Sequence, residues 1–246
     1  LPDDLAPELA GAGISGTIVV QAAPTLAETE FLLGLSERHD FIKGVVGWLD
    51  FDGADFAGDL KRLLDHGKLV GLRPMLQDLD DDGFVLRPRV IDNLKRLADT
   101  RLVFEYLIFP RHLAAVAESL RRVPGLKAVI DHLSKPPIRQ GALEPWARQL
   151  TAVAAFPNAA CKISGLFPEE QDAGWSLAAF APFLAHALDV FGPGRLIWGS
   201  NWPVSLLATD YQTTHDAIAA LLAPVLGLDE LAAVFGGNAV RLYGLA

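Results

Sequence analysis

Short apolar, β-branched runs alternate along the chain with longer segments whose apolar residues recur every three or four positions. The runs are TIVVQA (17–22), GVVGWLD (44–50), KLVGLR (68–73), LVFEYL (102–107), KAVIDHL (127–133), ACKISGL (160–166) and RLIWGSN (195–201). Between them, FAGDLKRLLDHG, RVIDNLKRLAD, RHLAAVAESLRRV, LEPWARQLTAVAAF and LAAFAPFLAHALDVF carry helical spacing. A helical tail follows, YQTTHDAIAALLAPVLG and then DELAAVFGGNAVRLYG. Nearly continuous apolar strands separated by helices predict a parallel sheet covered on its outer side, closed into a barrel or doubly wound. No GxGxxG or GxxxxGK[ST] loop follows a strand, which weighs against the nucleotide-binding open sheet.

The expected fold class is therefore α/β, a distorted (β/α)8 TIM barrel. Such a barrel closes with about eight strands, and seven runs are visible here. LAPELAGAG (5–13) reads as the end of a helix ahead of the first run, so the absent first strand is expected upstream of Leu1, which is not an initiator methionine. Residues 1–246 are expected to form one domain, a size that single α/β barrels commonly reach.

Composition narrows the partners. Apolar residues make up 51% of the chain and charged residues 21%, the balance of a packed globular protein. The formal net charge of −9, with no basic stripe to offset it, excludes nucleic acid as the expected partner. LAAFAPFLAHALDVF is broken by Pro182, His186 and Asp189, well short of the roughly 20 apolar residues of a membrane span, and reads as a core helix. Cys161 is the only cysteine, so no intrachain disulfide, zinc knuckle or CxxC pair can form. With no secretory signal in LPDDLAPELA, the expected location is cytoplasmic.

In a barrel the chemistry gathers at the carboxyl ends of the strands. Those ends carry Gln21, Trp48, Asp50, Arg73, Glu105, Tyr106, Asp131, His132, Lys162, Ser164, Ser200, Asn201 and Trp202. Asp131 and His132 close one strand before the proline-stopped LSKPP loop. Adjacent strand residues point to opposite sides, so only one of them faces the axis. His132 is the choice, as general acid/base or metal ligand, because imidazole titrates near neutral pH; the plain alternative is a histidine bonded to a nearby carbonyl.

Arg73, held extended by Pro74, suits a clamp on substrate oxygens or an ion pair with Glu105 or Asp50 across the mouth. Glu105 is a candidate base or hydroxyl ligand if it faces inward. His112, after Pro110, is either a substrate contact or a solvated first-turn residue. Lys135, Lys162 and Ser164 are within reach of the mouth, although lysine stems also lie along apolar surface. Neither GxSxG nor HExxH occurs, which sets aside a serine hydrolase of the α/β type and a zincin.

GTIVVQAAPTLAETEFLL, FIKGVVGWLDF, LVGLRPMLQ, VIDHLSKPPI, CKISGL, WGSNWPV and VFGGNAVRLYGL, in that order, resemble the amidohydrolase-related family that includes sugar lactonases acting on L-rhamnono- and L-fucono-lactones. The likeness spans nearly the whole chain, and DHLSKP and GSNWPV are its most specific segments. It implies a distorted barrel and water attack on the carbonyl of a lactone or related ester. Relatives usually begin with a strand bearing a His-x-His pair, which would lie upstream of Leu1. The resemblance places His132 on the family's strand-end histidine and Arg73 on an arginine that holds substrate oxygens. It places Asn201 where an aspartate commonly stands, and an amide cannot accept the proton that a carboxylate would.

The expected catalytic residues are thus His132 and Asn201, with Arg73, Glu105, His112, Lys135 and Trp202 as substrate contacts. Whether a divalent metal such as zinc takes part is open, since a catalytic zinc needs about three protein ligands. The expected partner is a small-molecule substrate, with no membrane, and self-association through an exposed sheet edge if the chain starts at Leu1. Competing readings are a metal-dependent amidohydrolase or decarboxylase on the same scaffold, and a ligand-binding relative impaired by Asn201.

Overall fold

Seven parallel strands pair strictly in the order of the sequence. They come from a computed structural model that describes residues 1–165 and 176–245. The chain opens with helix α1 (Pro2–Gly11), followed by β1 (Thr17–Val20), α2 (Leu26–Arg38), β2 (Ile42–Gly47), α3 (Phe56–Leu64) and β3 (Leu69–Leu72). Next come α4 (Pro88–Ala98), β4 (Val103–Tyr106), α5 (Leu113–Arg122), β5 (Ala128–Ile130), α6 (Trp146–Ala154) and β6 (Ala159–Ile163). After residue 175 follow α7 (Leu177–Phe191), β7 (Leu196–Trp198), α8 (Tyr211–Leu222), α9 (Leu228–Ala232) and α10 (Asn238–Tyr243).

All seven predicted runs overlap a strand, with β2 and β6 starting two and one residues earlier than expected, and the α/β barrel class holds. Leu166, the last residue of the sixth run, and Ala246 lie outside the described residues. Among the described residues β7 makes no pairing with β1, one strand fewer than the closed ring of about eight. No helix among them is long and apolar enough to cross a membrane.

The sheet separates two apolar layers. Toward the helices, Val45, Leu69, Leu72, Phe104, Ala128, Ile130, Cys161, Ile163 and Leu196 join one large cluster with α2 to α8. On the other face Val46, Val70, Val103, Val129, Ala160 and Ile197 converge on a second cluster. That inner cluster is completed by Tyr243 and, around it, by Ala239, Leu242 and Leu245 from the end of the chain. Burying each such large side chain stabilises the fold by roughly 1.5–3 kcal/mol.

The predicted second half of the tail is not one helix. At Gly236 and Gly237 it widens into a π-turn over Ala233–Gly237 before α10 begins. In α10, Asn238 donates to the carbonyls of Pro193 and Leu196 at 2.7 and 2.8 Å, which fastens the end of the chain to the start of β7. Tyr243 thereby enters the inner face of the sheet.

Candidate active site

Positions two apart on a strand share a face, and that rule carries the inner apolar layer directly into a charged one. Glu105 follows Val103, Asp131 follows Val129, and Lys162 follows Ala160, all inward. Arg73 follows Gly71, where a β-carbon would meet the Val103 carbonyl oxygen at 2.8 Å and Val46 at 3.3 Å. The four ionisable side chains meet above the apolar layer. Arg73 Nη1 donates to Asp131 Oδ2 at 3.0 Å, and Lys162 Nζ donates to Glu105 Oε2 at 2.6 Å. The ammonium also lies 2.9 Å from Asp131 Oδ1.

Glu105 and Asp131 are fully buried, whereas the side chains of Arg73 and Lys162 are 11% and 12% exposed. Two cations against two carboxylates leave the cluster neutral, which is what makes burial of four charges tolerable. Burial works against ionisation of Asp131, but the charges of Lys162 and Arg73 outweigh it and hold the carboxyl below its usual range. At Glu105 burial wins over Lys162, and its pKa is raised. Burial opposes the charge on Lys162, yet Asp131 and Glu105 together raise its pKa.

Asp131, not His132, takes the inward face of β5, and the expected choice between them rested on a strand running through both. The strand stops at Ile130. From His132 to Lys135 four consecutive residues are left-handed, with φ of 54, 51, 56 and 52°. For residues other than glycine this costs roughly 1–2 kcal/mol each. The turn is pinned by fully buried Leu133 and by Trp146, whose indole Nε1 donates to the Leu133 carbonyl at 2.8 Å and to Ser134 Oγ at 3.1 Å. It swings the imidazole of His132 over the end of β6, where Nδ1 is 2.8 Å from Ser164 Oγ.

His132 Nε2 has no protein partner among the described residues, and it is absent from the sealed, unpartnered polar atoms. Burial, reinforced by Arg73, Lys162 and Lys135 and opposed by Asp131, lowers its pKa to about 4. At neutral pH the ring is therefore uncharged, with a nitrogen available to accept a proton.

Gly165 makes room for that ring. It is left-handed at φ 62°, and a β-carbon there would lie 2.7 Å from His132 Nδ1 and 2.8 Å from Cγ. Gly165→Ala should therefore displace the imidazole and strain the backbone, destabilising the protein by roughly 1–2 kcal/mol before any steric cost. Thermal melting together with turnover checks this, and a variant with unchanged turnover would refute the packing argument.

Asn201 lies beyond β7, three residues after Trp198, and its backbone is left-handed at φ 54°. Asparagine and aspartate tolerate that conformation better than most residues, so the turn itself accounts for part of the residue preference. Its backbone carbonyl accepts from Ser205 N at 2.9 Å, and its side-chain amide makes no hydrogen bond among the described residues. Ser200 steadies the turn, its Oγ accepting from Trp202 N at 3.2 Å. The ends of β6 and β7 adjoin, since a β-carbon on Gly199 would meet Ser164 at 3.2 Å. His132 and Asn201 thus rise from one stretch of rim.

The remaining candidates divide. Arg73 does reach the strand-end cluster, but its partners are Asp131 and the Gln21 carbonyl, not Glu105 or Asp50. Asp50 is exposed and accepts from Asp52 N. Both terminal nitrogens of Arg73 are thus held by the protein. Glu105 faces inward as expected, yet Lys162 and the Tyr243 hydroxyl occupy its two oxygens, so it belongs to the floor and not to a substrate contact.

His112 is buried instead of solvated, with Nδ1 accepting from Phe109 N at 3.0 Å and Nε2 3.1 Å from Asp82. Lys135 sets its ammonium 5.1 Å above the Phe109 ring, a cation–π contact. Trp202 packs against Leu5, Leu9 and Tyr211, which ties it to α1 and α8. Lys162 and Tyr243 are the participants that sequence reasoning underweighted or passed over.

The amidohydrolase family profile matches residues 1–245. An L-fucono-1,5-lactonase from Burkholderia ambifaria is 41% identical over 245 residues, covering 98% of this chain and 84% of its own length. An L-fucono-1,5-lactonase from Burkholderia multivorans is 34% identical, covering 100% of this chain and 86% of its own. A crystal structure of an amidohydrolase from Burkholderia multivorans with bound zinc superposes with a TM-score of 0.94 at 34% identity, over 100% of this chain and 89% of that one.

The zinc in that structure calls for a test of fit here. Among the described residues no three histidine, cysteine, aspartate or glutamate side chains are placed to hold a metal. Asp131 and Glu105 are already committed to cations. An open catalytic zinc site needs about three protein ligands, so these residues do not fit one, and no step below passes through a metal.

Proposed function

This chain belongs to the amidohydrolase family, and from that premise we propose that it opens a small sugar lactone by attack of water on the ring carbonyl. The observation that carries the proposal is the 41% identity, over 98% of the chain, to an L-fucono-1,5-lactonase. Its substrate class is accordingly a six-membered aldonolactone. A role in carbohydrate metabolism within the cytoplasm accords with this and with the lone, buried Cys161.

The site supports the chemistry step by step. With Nδ1–H donating to Ser164, Nε2 of neutral His132 takes a proton from the attacking water. The water oxygen bonds to the carbonyl carbon, and the carbonyl electron pair moves onto oxygen, facing the field of Lys162 and Arg73. Collapse breaks the ring carbon–oxygen bond, and His132 returns its proton to the departing ring oxygen. The product is a hydroxy acid that ionises and releases one proton. Asn201, with a free amide on the adjoining strand end, orients the water.

Proton release measured over a panel of 1,5- and 1,4-aldonolactones tests the reading. Rapid hydrolysis of at least one 1,5-lactone is expected, and no hydrolysis across the panel would overturn it. Asn201→Asp keeps a residue suited to the left-handed turn but removes the amide donor. It should lower kcat about 10-fold. A gain in kcat would instead identify a site impaired by the natural asparagine.

A further inference from the structure

We infer that Lys162 is the cation that meets the oxyanion, and that Tyr243, on the last helix, is a positioning residue that fixes Lys162 through Glu105. The inference rests on the lactone reading for its chemistry and on the geometry alone for the link between the residues.

An ammonium has three N–H donors. Lys162 donates one to Glu105 Oε2 at 2.6 Å and forms an ion pair with Asp131 Oδ1 at 2.9 Å, which leaves at least one. Its side chain is 12% exposed while both carboxylates are fully buried, so the lysine, not the acids, lies toward the open rim. Arg73 is differently placed. Nη1 is on Asp131, Nη2 is on the Gln21 carbonyl, and unpartnered Nε is sealed from solvent. Lys162 is also the cation on the strand that carries the base's partner, two positions before Ser164, which bonds His132 Nδ1.

Glu105 fixes the amine from below. Its Oε1 accepts from the Tyr243 hydroxyl, a contact between residues 138 apart in sequence. Tyr243 is 5% exposed and sits in the inner apolar cluster, so no water replaces its hydroxyl easily. Donation to a carboxylate favours the ionised form. Without the hydroxyl, Glu105 keeps a buried, unsatisfied oxygen and protonates more readily, and Lys162 is then drawn toward Asp131 alone. The groups facing Lys162 are Arg73 from β3, Glu105 from β4, Asp131 and His132 from the end of β5, and Tyr243 from α10. Among the described residues no other carboxylate is paired with Lys162 in the place of Glu105.

The test is a double-mutant cycle on lactone hydrolysis. Lys162→Met should lower kcat about 10²- to 10³-fold, the loss of one oxyanion donor. Tyr243→Phe should lower kcat about 10-fold with KM held within about two-fold. The double variant should be no slower than Lys162→Met, because Tyr243 acts only through that amine. Singles that multiply in the double variant would overturn the positioning role, and a Lys162→Met kcat within about three-fold of wild type would overturn the electrophile.

A second measurement is independent of turnover. In protein labelled with 13C at lysine Cε, the Lys162 resonance, assigned by its loss in charge-preserving Lys162→Arg, should move in Tyr243→Phe. An unmoved resonance would overturn the link even if no lactone were hydrolysed, and a moved one would uphold it while the substrate reading alone failed.

Discussion

Replacing His132 with glutamine should lower kcat for lactone hydrolysis by about 10²- to 10⁴-fold, the usual loss when a general base is removed. The substitution keeps a polar side chain of similar reach beside Ser164, so the fold and KM should change little. The pH profile carries the sharper signature. Burial and the charges of Arg73 and Lys162 lower the His132 pKa to about 4, so wild-type kcat/KM should hold down to that region before falling as the ring protonates. An ordinary histidine would lose activity near about 6.5. The residual activity of the glutamine variant should show no limb at either place. An acid limb in the wild type near the ordinary value would mean that another group is the base.

Asp131→Ala should produce a large loss of stability. Asp131 lies between Arg73 Nη1 at 3.0 Å and Lys162 Nζ at 2.9 Å, fully buried. Its removal leaves Arg73 without a carboxylate partner and Lys162 with Glu105 alone, and breaking a buried pair in this way costs about 3–5 kcal/mol. For a chain of this length that is a fall of roughly 6–20 °C in Tm. The sign of the pH dependence follows from the direction of the shift. Because the folded pKa is held below that of the unfolded chain, the contribution is present above about 3.9, the ordinary aspartate value, and is lost as pH falls through the folded value. Melting of wild type and Asp131→Ala should converge in strong acid. Equal Tm values at neutral pH would show that the cluster reorganises without cost.

The two predictions separate activity from stability within one short turn. His132 spends backbone strain to bring an imidazole to the rim, while Asp131, its neighbour, neutralises the cations beneath. Strain of this kind persists only where the surroundings over-determine it, and the buried Leu133 and Trp146 supply that constraint.

Alternation of apolar runs and helical segments was enough to read an α/β barrel from the sequence, because periods of two and near four residues are set by local backbone geometry. The rim residues were legible for a related reason: strand ends are marked by prolines and polar side chains, and chemistry in such folds collects there. The family likeness carried by DHLSKP and GSNWPV pointed to His132 and Asn201.

What sequence could not decide was which face of each strand looks inward. In KAVIDHL both Ala128 with Ile130 and Val129 are apolar, so parity alone does not choose between Asp131 and His132. Only the packed sheet does, by placing Val129 against Val103 and Ala160 and Ile130 against the helices. The left-handed turn that lets both residues serve the site is equally invisible, since it depends on Trp146 from a later helix. Tyr243 had no local signal at all. Its hydroxyl matters because the end of the chain, past the π-turn and α10, lies against Glu105, a contact between residues 138 apart in sequence.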